Sequence, residues 1–110
     1  QGDAEVCGVA TEIPTTGTLK IDLIKRLSLR NPRVESDEFI MTIGSARPME
    51  DAARIAFYEL IMWLESDYGI EKLVAYQLCS QVARVRLANM VDTLYSVVAK
   101  FPKKYLPRKN

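Results

Sequence analysis

Histidine is absent from all 110 residues of this chain. Its absence excludes Ser-His-Asp and Cys-His catalysis by this chain alone, and it removes the commonest transition-metal ligand. Cysteine is scarce, and Cys7 and Cys79 fit neither a zinc-binding spacing nor a redox pair. Cys79 lies in an apolar helical pattern, which predicts a reduced core thiol. A cytoplasmic, reducing setting is therefore the expected location.

The net charge is also small, and long apolar runs are absent from the sequence. The formal net charge is +1, which gives no overall attraction to nucleic acid or to a membrane surface. No apolar run approaches the roughly 18–20 residues that span a bilayer. The length suits one domain, so we expect a single domain over residues 1–110 with no nucleic-acid partner and no membrane partner.

Three segments in the first half have strand patterns. Residues 4–13 contain spaced apolar side chains and predict a first strand, which Pro14 ends. Residues 18–23, Thr-Leu-Lys-Ile-Asp-Leu, alternate polar and apolar side chains, which predicts a half-buried strand with Leu19, Ile21 and Leu23 inward. Residues 38–44 are mostly apolar and predict a more deeply buried strand.

The second half begins with helical spacing. Apolar residues three and four apart predict a helix over about 48–67, which Gly69 ends, and a second helix over about 71–82. Arg84 and Arg86 are expected in an irregular segment, and residues 95–101 predict a final strand. This order predicts an α+β fold with antiparallel or mixed strands in the N-terminal half, two adjacent helices and a last strand.

The opening residues, Gln-Gly-Asp-Ala-Glu-Val-Cys-Gly, carry the candidate chemistry. Asp3, Glu5 and Cys7 occupy every second position, so in a strand they share one face. Two carboxylates and a thiol in one row, bordered by glycines, are typical of the wall of a site. The alternative for the two acids is a solvated strand face, and for Cys7 a small residue packed beneath the site.

This motif, with several later segments, resembles the acetamidase/formamidase family of amidohydrolases, in its C-terminal part only. The matching segments are QGDAEVCGVATE at 1–12, TLKIDL at 18–23, a long stretch at 41–92 that begins MTIGSARPMEDAARIAF, and VVAKFPKKYL at 97–106. Family members usually have glycine at the position of Ala4, and a histidine just upstream of the position of Gln1.

The resemblance implies hydrolysis of short aliphatic amides, such as formamide and acetamide, to a carboxylate and ammonia. It also implies a divalent metal ion, zinc or calcium, which lowers the pKa of bound water and polarises the carbonyl. Asp3 and Glu5 are the candidate metal ligands, and one of them is also a candidate general base. A second mechanism uses Cys7 as a covalent nucleophile with Glu5 as its base, although no cation adjoins Cys7 in the sequence.

Two carboxylates leave most of a metal's coordination sphere empty. We therefore expect an upstream segment or a partner chain to complete the site. Strand edges that such a partner does not cover favour pairing with another chain, so we also expect a homo-oligomer. The alternative function is a non-catalytic interaction or assembly module that retains the family fold.

Overall fold

The computed structural model describes residues 2–108, and its regular structure begins with the short strand β1 (Arg33–Glu35). The elements that follow in these residues are β2 (Phe39–Ala46), α1 (Met49–Tyr68), α2 (Lys72–Val82), β3 (Arg84–Asn89), β4 (Tyr95–Pro102) and a 3₁₀ turn (Lys103–Tyr105). This order confirms the predicted α+β class, with strands, two adjacent helices and a last strand. No helix in this range is long and apolar enough to cross a membrane.

The four strands form one antiparallel sheet in the order β1-β2-β4-β3, so β1 and β3 are its edges. Alternate residues of the two central strands are buried and face the helices, because side chains in a strand alternate between faces. The residues are Ile40, Thr42 and Gly44 of β2, and Val97, Ala99 and Phe101 of β4. The opposite face carries Met41, Val98 and Arg86, which are all at least partly exposed.

Helix α1 lies very close to β2 at Gly44. A Cβ atom built on Gly44 would stand 2.1 Å from the backbone oxygen of Ala52 and 2.7 Å from the backbone nitrogen of Ala56. Two residues earlier, the buried Thr42 hydroxyl donates a hydrogen bond to the Ala56 carbonyl at 2.6 Å. Strand and helix are therefore fixed at one short separation, which only a residue without a side chain permits.

The helix boundaries confirm the sequence prediction. Gly69 ends α1 in the left-handed conformation at φ 66°, which glycine adopts without a steric penalty. Glu71 begins α2, and its carboxylate accepts hydrogen bonds from the backbone N–H groups of Leu73 and Val74. Cys79 is buried against α1, as its helical pattern predicted.

The predicted strands at 4–13 and 18–23 are wrong, because residues 2–32 form no strand. Leu19, Ile21 and Leu23 were expected to point inward, but they are 86%, 87% and 80% exposed. Alternation of polar and apolar side chains supplies only half of what a strand needs. The other half is a neighbouring strand that pairs its backbone, and nothing within residues 2–108 pairs with this segment.

The prediction of an irregular segment at Arg84 and Arg86 is also wrong. Both residues lie in the edge strand β3, where Arg84 pairs with Lys100 and Arg86 with Val98. A half-exposed edge strand tolerates charged side chains on its open face, so the arginines do not interrupt it.

Candidate functional site

The opening residues form a turn and not the predicted strand. Ala4 has φ 76° and Glu5 has φ 37°, both in the left-handed region and far from extended backbone. The Glu5 amide donates a hydrogen bond back to the Gly2 carbonyl at 3.4 Å. The alternation that would have aligned Asp3, Glu5 and Cys7 is therefore absent, and tertiary contacts place the side chains instead.

Strand β3 and the residue after it hold this turn. The Asp3 carboxylate forms an ion pair with the Arg86 guanidinium. Asn89 donates from Nδ2 to Glu5 Oε2 at 2.7 Å, and the Met90 amide donates to the Ala4 carbonyl at 2.8 Å. Because Arg86 and Asn89 pair with β4 residues of the open face, both acids lie on that side of the sheet edge.

A third carboxylate joins this arrangement through Asn89. Asn89 Nδ2 also donates to Asp92 Oδ2 at 3.0 Å, and the Asp92 amide donates to Asn89 Oδ1 at 3.3 Å. The side-chain amide of Asn89 thus fixes Glu5 and Asp92 at once. Glu5 is partly exposed, whereas Asp3 and Asp92 are exposed.

The structure holds Asp3 and Glu5 on one sheet edge, whereas no contact within residues 2–108 fixes the Cys7 thiol. Cys7 is a free, exposed thiol that takes no part in the contacts holding the turn. In this chain by itself it is not packed beneath a site. Of the three candidate residues, the two acids therefore have a defined position.

The sequence did not identify Asn89 or Asp92 as site residues, and it predicted an irregular segment at Arg86. The Arg-Val-Arg-Leu alternation of residues 84–87 was a local signal for the strand. Nothing local linked position 86 to position 3, since the two residues are 83 positions apart.

A divalent metal ion needs more ligands than this edge offers. Within residues 2–108 no group of three or more His, Cys, Asp or Glu side chains is arranged to hold a metal ion. Asp3 and Glu5 are also already engaged by Arg86 and Asn89. The described residues therefore do not form a complete metal site.

Comparisons with known proteins give one consistent relationship. No protein-family model and no curated protein matches the sequence. Among solved structures, the chain is similar to an acetamidase from Yersinia enterocolitica, with 53% sequence identity and a TM-score of 0.75. The match covers 77% of this chain and 26% of the Yersinia chain.

Two further structures are similar at lower identity. A predicted acetamidase/formamidase from the thermophile Thermoanaerobacter tengcongensis has 26% identity and a TM-score of 0.67, over 74% of this chain and 27% of its own. An acetamidase from Bacillus halodurans shares the fold, with 23% identity and a TM-score of 0.63, over 67% of this chain and 25% of its own. This chain is therefore related by sequence and fold to the acetamidase/formamidase family, and it spans about a quarter of the length of the solved structures that it matches.

Proposed function

We propose that this chain is part of an amidohydrolase that hydrolyses short aliphatic amides, such as formamide and acetamide, to a carboxylate and ammonia. The observation that carries the proposal is the 53% identity to the Yersinia acetamidase over 77% of this chain. Since the chain spans 26% of that enzyme, the active unit in this proposal includes a second portion of polypeptide. That portion is an upstream segment or a partner chain, in a cytoplasmic homo-oligomer.

Asp3 and Glu5 are the proposed reactive carboxylates. One serves as a ligand, and the other as a ligand or as the general base that takes a proton from the attacking water. Arg86 and Asn89 are positioning residues in this scheme, because they bond to Asp3 and Glu5 respectively and determine where the carboxylates point. A carboxylate held in one orientation loses less freedom when the substrate binds.

We also propose a divalent metal ion, zinc or calcium, as the cofactor. Asp3 and Glu5 would contribute oxygen ligands, and the completing polypeptide would contribute the others. Cys7 as a covalent nucleophile, with Glu5 as its base, is the competing route. Its exposed thiol leaves it accessible to a small amide, while the Glu5 carboxylate that would act as its base is hydrogen-bonded to Asn89.

The test is ammonia release from acetamide and formamide. The chain is co-expressed with Yersinia acetamidase from which the quarter that matches this chain has been removed, and the purified mixture is assayed. Asp3→Asn and Glu5→Gln are each expected to lower turnover at least about 100-fold. Asp37→Asn, which removes an exposed carboxylate in the turn between β1 and β2, is the matched control and should keep wild-type turnover.

The remaining variants separate the two routes. Cys7→Ser should keep turnover if the metal route holds, and elemental analysis should find a divalent ion in the active material. Active material without such an ion, inactivated by Cys7→Ser, would contradict the metal route. Full turnover in both acid variants would remove Asp3 and Glu5 from the mechanism.

A second candidate function is a non-catalytic assembly module that retains the family fold. The exposed apolar side chains of residues 18–24 favour it, because such a segment suits contact with another polypeptide. A complex that forms with the Yersinia portion but releases no ammonia supports this candidate over the enzyme.

A further inference from the structure

Residues 18–24, here named the arm, have the two-sided character of a strand without a partner strand. Leu19, Ile21 and Leu23 are 86%, 87% and 80% exposed. On the alternate positions, Lys20 Nζ lies 3.2 Å from Asp22 Oδ2. An ion pair between residues two apart indicates extended backbone, so one side of the arm is charged and the other is apolar.

Such a segment is an unusual surface for a free protein. Contiguous exposed apolar side chains mark interaction sites, and the unpaired N–H and C=O groups of an extended segment are a template for another strand. The arm therefore presents both parts of a β-addition interface, namely an apolar row and an unpaired backbone.

We propose that the arm pairs as a β-strand with a sheet edge of the polypeptide that completes the amidase. This inference rests on the proposed function, which requires that polypeptide. That polypeptide corresponds to the remaining portion, about three quarters, of an acetamidase/formamidase chain, which this chain does not span. The contact buries the apolar row of the arm.

A second copy of this chain fits the arm less well. Its edge strand β1 has three residues, which is too short to pair with the seven residues of the arm. Its other edge strand, β3, carries the exposed Arg84 and Arg86, and charged side chains on an edge strand oppose the pairing of another strand.

The experiment uses the full chain and, as the probe, Yersinia acetamidase lacking the quarter that matches this chain. The two are co-expressed, the complex is isolated by size exclusion, and hydrogen exchange of the arm amides is followed with and without the probe. We expect a one-to-one complex in which the amides of residues 18–24 exchange at least about 100-fold more slowly than in the free chain.

Variants test the side chains. Leu19→Lys with Ile21→Lys should weaken the complex at least about tenfold, whereas Lys20→Gln with Asp22→Asn, on the opposite side of the arm, should stay within about twofold. Because the arm is exposed in the free chain, its variants should keep the wild-type Tm.

Several results would overturn the inference. One is the absence of a complex. Another is a complex in which the arm amides exchange hydrogen as fast as in the free chain. A third is a variant with Leu19→Lys and Ile21→Lys that binds the probe with wild-type affinity. A homodimer that the same variant abolishes, without binding to the probe, would assign the arm to a second copy instead. Binding is measured without substrate, so a complex that forms but releases no ammonia removes the proposed function and leaves the arm contact standing.

Discussion

The side-chain amide of Asn89 donates a hydrogen bond to the carboxylate of Glu5 at 2.7 Å, across 84 positions of sequence. With the ion pair between Asp3 and Arg86, it attaches the opening turn to the edge strand β3. The two candidate catalytic acids therefore depend for their position on a strand at the opposite end of the chain.

Replacing Asn89 by alanine should loosen the opening turn. Without Nδ2 the Glu5 carboxylate loses its partner, and the Met90 amide, which donates to the Ala4 carbonyl, should exchange at least about tenfold faster. Hydrogen exchange followed by mass spectrometry measures this. Gln81→Ala, an exposed change at the end of α2, serves as the control and should leave exchange at Met90 unaltered. Unchanged protection in the Asn89 variant would mean that the turn is held without this bond.

Gly44→Ala should destabilise the fold strongly. The new Cβ would meet backbone atoms of Ala52 and Ala56 at 2.1 and 2.7 Å, and backbone cannot move aside as a flexible side chain does. We expect the free energy of unfolding in urea to fall by about 3 kcal/mol or more, as for severe overpacking. A Cβ at Gly17 would have no atom within 4 Å, so Gly17→Ala should change the free energy of unfolding by less than about 0.5 kcal/mol. Similar values for the two variants would contradict the close contact of α1 with β2.

The two thiols should differ in reactivity and in their effect on stability. Burial raises the pKa of the Cys79 thiol from 9.0 to about 11, while Cys7 is exposed. At pH 8 a thiol reagent should label one cysteine per native chain, and Cys7→Ser should abolish this labelling. Labelling of Cys79 in the native chain would show that α2 does not bury it.

The raised pKa of Cys79 determines how stability changes with pH. Between pH 9 and 11 the unfolded thiol ionises while the folded one stays protonated, so the Cys79 contribution to stability is present below pH 9 and is lost as pH rises. Urea unfolding at pH 8 and pH 10.5 should therefore show a smaller loss of stability in Cys79→Ala than in the wild type. Cys7→Ser should show the wild-type loss.

Sequence reasoning succeeded where local chemistry determines structure. Gly69 ends α1 because a left-handed residue is needed there, and the spacing of apolar residues in α1 follows the face that it buries. It failed at residues 18–23, where the side-chain pattern of a strand is present but pairing depends on another segment. The resemblance to amidases came from the opening motif together with several later segments. The position of Asp3 nevertheless depends on Arg86, and no pattern near either residue encodes that contact.

The proposed function is tested most directly by ammonia release from acetamide by this chain together with the complementary portion of the Yersinia acetamidase. The wild type is compared with a chain carrying both Asp3→Asn and Glu5→Gln. We expect turnover in the wild-type mixture, none from either polypeptide alone, and a loss of at least about 100-fold in the double variant. Equal turnover in the wild-type and double-variant mixtures would contradict it.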